Sequence, residues 1–252
     1  MGKALWLLFL VADLIKPPAT LSPYSGSSNV FAKRGDVRWT ADWAMEPIQV
    51  NGKPAVRFTE RGSGRISEFS QEVRWSSQAV WRADAGFQPL DFEKTITAAD
   101  GKQLVVERKH FDRDKGTVRF ERQTSGRNPE IKTLSVPPDT LAVEGIAGVL
   151  RFLTPDADRP FSAHLLSNEP RVYSVTFELR GRERVKTPAG DFECYKLELV
   201  PHLGALNLFR SFFPKTFFWF TVASPHNWVR YEGSENGPGT PAIVMELSHG
   251  NH

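Results

Sequence analysis

Apolar and polar residues alternate with a period of two along most of this chain, the mark of half-buried β-strands. The cleanest run sets Val37, Trp39, Ala41 and Trp43 against Arg38, Thr40 and Asp42. A second occupies 172–200, where Tyr173, Val175, Phe177 and Leu179 alternate with Ser174, Thr176 and Glu178. Arg180-Gly181 then predicts a tight turn into a short strand over 183–187, because glycine accepts the positive φ such turns need. Pro188-Ala189-Gly190-Asp191 predicts a second turn, with proline presetting φ, and 192–200 returns with Tyr195, Leu197 and Leu199 on one face. Asn51-Gly52 predicts a type I′ hairpin between 47–50 and 54–59, and Gly62-Ser63-Gly64 reads as a break. The stretch 72–82 puts Trp75 and Trp81 on one parity, and 90–97 carries Leu90, Phe92 and Ile96 with Lys94 intruding among them. Turns at 99–101, 112–116 and 128–129 separate further strands at 103–111, 117–123 and 130–136. Strands about every 10–14 residues, joined by Asx and Gly turns, predict an antiparallel meander.

Pro137 and Pro138 end that run. Asp139-Thr140 can cap a helix, and Ala142, Ile146, Val149, Leu150 and Leu153 recur at helical spacing, so one prominent helix is expected over 140–153, packed on a sheet. Strands resume near Pro170 and continue at 216–222, 227–233 and 242–247. The segment TFFWFTV at 216–222 is apolar at both parities, which predicts a strand covered on both faces. The expected fold class is all-β: an open antiparallel β-barrel, or β-clam, with the single helix near 140–153.

The N-terminus differs. Lys3 precedes an apolar run over 4–12, which reads as a secretory signal or uncleaved anchor, or else as a peripheral core segment. The run is too short to span a bilayer as a helix. SPYSGSSN at 22–29 reads as a linker, so the expected organisation is a leader plus linker over 1–29, one domain over 30–248 and a tail over 249–252. Seven Trp and eighteen Phe suit a β-lined interior. A net charge of +3 fits an ordinary solvated surface. Cys194 is the one cysteine, which excludes an internal disulfide and a cysteine-based zinc cluster; mid-strand, it is expected to be a buried, inert thiol.

A family resemblance adds to this. Asp139-Thr140-Leu141, Leu150-Arg151-Phe152-Leu153, Tyr173-Ser174-Val175, the hairpin from Gly181 to Leu197 with its Thr187-Pro188-Ala189-Gly190-Asp191-Phe192 turn, Phe218-Trp219-Phe220 and Trp228-Val229-Arg230-Tyr231 occur in the order found in a bacterial family called domain of unknown function 3108. The chain resembles that family from about Gly35 to Leu247. The resemblance implies an extracytoplasmic protein, periplasmic or held at the membrane by its N-terminal segment. Its half-closed β-barrel would be similar to the periplasmic lipoprotein carriers, whose concave face holds an apolar ligand under a helical lid. The chain departs from the pattern in its weak leader and in an apolar insert, LGALNLFRSFFP at 203–214, which reads either as a membrane- or partner-touching loop or as a buried connector.

Catalytic constellations are thin. His110, His164, His202, His226, His249 and His252 are scattered rather than set at ligand spacing. Gly62-Ser63-Gly64 lacks the form of a nucleophile elbow, and phosphate-binding glycine loops are absent. No cofactor or metal is expected. Inward rows carrying Trp39, Trp43, Phe58, Trp75, Trp81, Phe218 and Phe220 either fill a core or line a cavity; as cavity lining they are the candidate ligand-binding residues. The expected function is non-catalytic: binding an apolar ligand, lipid or lipoprotein-like, or an envelope component or envelope protein partner. The alternatives are an enzyme built on a polar cluster such as His226 near Glu232 or Asp191, a scaffold, or a nucleic-acid-binding module using the basic hairpin at 180–186, although no nucleic acid is expected as a partner.

Overall fold

The computed structural model describes residues 15–32, 35–84, 86–153, 159–202, 215–237 and 239–250. The apolar run at 4–12 and the insert at 203–214 lie outside them. Among the described residues there are fifteen strands and one short helix. The strands are β1 (Tyr24–Ala32), β2 (Val37–Val50), β3 (Lys53–Gly64), β4 (Val73–Arg82), β5 (Gln88–Ala98), β6 (Gln103–Asp112), β7 (Thr117–Thr124), β8 (Glu130–Ser135), β9 (Thr140–Ala142), β10 (Phe161–Leu166), β11 (Val172–Thr187), β12 (Gly190–Pro201), β13 (Thr216–Thr221), β14 (Trp228–Ser234) and β15 (Ala242–Gly250); α1 (Ile146–Leu150) lies between β9 and β10.

All fifteen strands belong to one sheet, ordered β8-β7-β6-β5-β4-β3-β2-β1-β15-β14-β13-β12-β11-β10-β9. Each half is a meander of sequential antiparallel pairs, as alternation and turn spacing predict. The exception is β9, which pairs parallel with β10 (His164↔Thr140, Leu166↔Ala142). The sheet curls but does not close. The edge strand β9 comes back against the start of β5, where Arg113 donates to the Pro89 oxygen (3.1 Å) and the Thr140 oxygen (3.3 Å). On one rim Arg38 on β2 pairs with Glu235 after β14 at 2.6 Å, and Glu235 also accepts from the Ser67 N–H at 2.6 Å. That carboxylate therefore ties the first half of the sheet to the second.

Four local expectations are revised. The stretch 22–29 is no linker: β1 starts at Tyr24 and is the eighth of the fifteen strands, joining the halves by pairing with both β2 and β15. Its small residues are what its neighbours need. A Cβ on Gly26 would sit 2.6 Å from the Trp43 ring and 2.9 Å from the His249 oxygen. Secondly, Arg180-Gly181 is a bulge inside the sixteen-residue β11, where the register with β12 shifts between Leu179 and Arg182. Gly181 takes φ 118°, and the chain keeps its direction because Glu183 to Thr187 go on pairing with β12. Likewise Gly62 to Gly64 do not break the chain but finish β3, paired with β4 and β2.

The fourth concerns the helix, which is five residues long, not fourteen. Gly145 in the left-handed region precedes it, and Thr140 to Ala142 are a strand. Asp139 caps nothing there; its carboxylate holds the His164 ring at 2.8 Å. Helical spacing of apolar residues over 141–153 is equally satisfied by a buried strand followed by one helical turn.

Other signals match. Asn51 (φ 51°) and Gly52 (φ 75°) form the type I′ turn between β2 and β3. On β13 Phe218, Trp219 and Phe220 are all buried: Phe218 and Phe220 join the large concave core, and Trp219 joins Val185, Cys194 and Val229 on the other face.

Gly26→Ala is expected to cost about 1–3 kcal/mol, because the added methyl has no space beneath Trp43. Thermal unfolding checks this at about 2–4 °C of Tm per kcal/mol; an unchanged Tm would contradict the central position of β1.

Candidate functional site

The concave face of the sheet encloses a cavity of about 1740 Å³. Alternation along each strand and register across the ladder together decide what faces it. One cross-strand row runs Trp43↔Glu60↔Ser77↔Lys94↔Glu107↔Arg122↔Glu130, from β2 to β8. Every member lines the cavity. Two residues away on one side lies an apolar row, Gly62↔Trp75↔Ile96↔Val105. Two residues away on the other side lies Met45↔Phe58↔Ala79↔Phe92↔Lys109↔Phe120. Met45, Phe58, Ala79 and Phe92 of the second row belong to one hydrophobic cluster and Trp75, Ile96 and Val105 of the first to another, so a charged belt divides the concave face into two apolar zones.

Of the residues expected to form the site, Trp39, Trp43, Phe58, Trp75 and Phe218 line the cavity. Trp81 and Phe220 are buried in the core behind it, with Trp81 donating its ring N–H to the Glu144 oxygen at 3.2 Å. Phe58 lies against α1: a Cβ on Gly145 would come 2.8 Å from its ring, and Gly148 is also bare on that side. The helix therefore does sit on the aromatic wall. Tyr24 and Trp228 complete an aromatic corner with Trp43, at ring separations of 4.7 and 6.2 Å. Arg151, just after α1, stacks 3.8 Å over Tyr24 and donates to the Pro225 oxygen and the Asn227 side chain. Its place in a Ser-rich stretch conceals Tyr24 from the alternation pattern.

The belt holds unusual electrostatics. Lys109 is fully buried; its ammonium bonds Glu144 and the Ser167 oxygen (3.2 Å) and lies 3.6 Å from Glu107. Arg122 reaches Glu107 at 3.2 Å and also pairs with Glu68. Burial pushes the Glu107 carboxyl above its ordinary value of 4.5; Lys109 pulls it back and the nearby Glu144 charge pushes the same way as burial. On the opposite face Cys194 is buried, and burial next to Glu183 and Glu193 raises its thiol to about 12.

The residues considered for other chemistry are not gathered. His226 bonds the Thr221 oxygen (2.9 Å), Glu232 pairs with Arg230, and Asp191 lies 3.5 Å from Arg184. Among the described residues no three His, Cys, Asp or Glu side chains are placed to hold a metal ion, and no helix is long and apolar enough to cross a membrane. On the basic hairpin Arg180 is held by Glu178 and Glu198, both at 2.6 Å.

A family model described as "Protein of unknown function (DUF3108)" matches residues 24–248. The chain belongs to that family. Its match begins at the first residue of β1, so the family unit includes the strand that joins the two halves. No curated protein matches the chain. Among solved structures it is similar to the beta-barrel-like protein of domain of unknown function DUF1849 from Brucella abortus, at 12% identity and TM-score 0.45 over 89% of this chain and 95% of that one. It is also similar to a protein with YmcC-like fold from Bacteroides fragilis, at 12% identity and TM-score 0.38 over 95% of this chain and 100% of that one.

Two measurements test these electrostatics. Because the folded Glu107 carboxyl holds its proton more tightly than the unfolded one, unfolding releases a proton at pH values from about 4.5 up to the raised folded value. Its contribution to stability is therefore greatest below that window and is lost as pH rises through it. Urea unfolding across pH 4–8 is expected to show wild type losing stability relative to Glu107→Gln over that interval, and parallel profiles would refute the raised value. Cys194 is expected to resist alkylation in the native state at pH 8 and to react after unfolding, as mass spectrometry of the labelled chain would show.

Proposed function

We propose that this chain is a non-catalytic, extracytoplasmic binding protein of the cell envelope that holds an apolar ligand of lipid size in its half-open barrel. One observation carries the reading. A cavity of about 1740 Å³ is lined by large apolar side chains that stay partly uncovered toward it, among them Trp43, Phe58, Tyr173, Leu199, Tyr231 and Met245. A filled core would have buried them, as it buries Trp81, Phe87 and Phe220. Pockets for drug-sized ligands measure about 300–1,000 Å³; this hollow is larger, which suits a long-chain molecule. The extracytoplasmic part rests on Lys3 and the apolar run that follows it.

Four of the seven tryptophans, Trp39, Trp43, Trp75 and Trp228, line the cavity, so occupancy has a built-in reporter. Titration with dodecyl maltoside below its micellar concentration is expected to give a saturable blue shift of tryptophan emission. Native mass spectrometry of protein purified from its own envelope is expected to show a co-purifying amphiphile. A response that never saturates, together with a bare mass, would refute the proposal.

A further inference from the structure

The connection from β3 to β4 is longer than a turn requires. The other connections of the β2–β8 meander have two to five residues, the usual span of a hairpin loop, whereas this one has eight, 65–72. The extra length is laid over the concave face. The Ser67 N–H donates to Glu235 Oε1 at 2.6 Å, and Glu235 follows β14, four strands from β3 in one direction. Glu68 pairs with Arg122 on β7, four strands from β3 in the other direction. Residues 66–69 line the cavity, and Ile66 and Phe69 pack on the apolar zone of Trp39, Trp75, Ile96 and Val105. The loop is therefore a strap tied to both walls of the curl.

The way it is held lets it release at small cost, because each anchor has a second partner inside the sheet. Glu235, whose side chain is only 2% exposed, also pairs with Arg38 on β2 at 2.6 Å. Arg122 also pairs with Glu107 on β6 at 3.2 Å. When the strap lifts, both anchors stay ion-paired, so no buried charge is left uncompensated, which is the large cost in breaking such contacts. The Ser67 N–H and the Glu68 carboxylate return to water. The strap's other bonds lie at its base, where the Arg65 N–H donates to the Arg38 oxygen at 2.8 Å, or within it, from the Phe69 N–H to the Ile66 oxygen at 3.1 Å. Lifting uncovers the apolar zone beneath Ile66 and Phe69, a surface that suits a guest's chain.

We propose that residues 65–72 are the gate of the cavity: the strap lifts from Glu235 and Arg122 to admit an apolar guest and latches again over it. This inference rests on the carrier reading above. It gives the two latches control over entry and exit rates rather than over affinity.

Stopped-flow tryptophan emission with dodecyl maltoside reads those rates in the full chain. Glu68→Ala is expected to raise association and dissociation together by about threefold, the effect a partly exposed ion pair supports, with Kd nearly unchanged. In Glu68→Cys/Arg122→Cys, a short bismaleimide joining the two thiols is expected to slow both rates at least about tenfold relative to the same variant capped with N-ethylmaleimide; buried Cys194 does not compete for the reagent. Trypsin gives a readout that needs no ligand. Ile66 is 7% exposed, so the Arg65–Ile66 bond reaches the protease only when the strap lifts, and Glu68→Ala is expected to be cut there about threefold faster than wild type, as mass spectrometry would show. Unchanged rates in Glu68→Ala, undiminished rates in the linked protein, or equal cutting at Arg65 would each overturn the gate while leaving the carrier reading intact. Glu68→Ala decides alone if the double variant does not fold. No response to the probe from any variant would overturn the carrier reading and the gate with it.

Discussion

Everything inside this molecule depends on the register of one continuous hydrogen-bonded ladder. Side chains alternate between faces, so a slip of one residue anywhere would turn an entire strand's inward set to the solvent. The chain resists such a slip in several ways. Asn51-Gly52 fixes β2 against β3, Gly26 admits only the Trp43 ring above it, and the Gly181 bulge absorbs the mismatch within β11 without breaking its pairing. Because β1 pairs with β15, joining Gly26 to Gly250, the register of the first half is transmitted to the second across nearly the whole sequence. Such non-local pairing carries a large loop-closure cost and forms only when both halves present matching surfaces.

Within that frame the charged belt needs an explanation. Inward charges on a β-sheet are expensive to desolvate, and a buried ion pair is often no better than well-packed apolar residues of similar volume. A sequence selected for stability alone would place apolar residues at the positions of Lys94, Glu107, Lys109 and Arg122. Instead the belt crosses β3 to β8 in register, with both signs represented. Lys109 illustrates the cost and its partial relief: it is surrounded by apolar neighbours, yet bonded to Glu144 and Ser167, with the Phe92 ring 5.4 Å away.

How far the sequence discloses this varies by element. Much of the β2–β8 meander is legible because its strands largely alternate and every connection except that between β3 and β4 carries Gly or Asx. The doubly covered β13 is legible from three consecutive aromatics. Lys94 is legible as an anomaly, a charge at an apolar parity, but its meaning is not, since Glu60, Glu107 and Arg122 lie on other strands and only the register brings them into line. β1 is concealed by its composition: Ser25, Gly26, Ser27 and Ser28 resemble a linker because the large groups that cover this strand belong to its neighbours. β9 and α1 are concealed for a different reason. Apolar residues spaced for a helix serve equally well in a buried strand, and the partner that decides the matter, β10, comes later in the chain and pairs in parallel.

The two halves of the sheet do different work around the cavity. The belt belongs to β3 through β8, whereas β11, β13 and β14 contribute Tyr173, Val175, Phe218, Trp228 and Tyr231, an aromatic and aliphatic wall. Neither half alone lines the whole cavity. Their relative position is set by β1 at the base of the curl, by the Arg151 stack on Tyr24 and Asn227 beside it, and by the Arg38–Glu235 pair on one rim. These contacts join the halves without sealing the sheet, since among the described residues β8 has a strand partner on one side only. A closed barrel would gain the hydrogen bonds of that last seam and lose the ability to widen. Keeping the seam open while anchoring the curl through charge-assisted contacts is a stability sacrifice that a filled core would not require, and it is intelligible if the hollow has to admit and release a bulky guest.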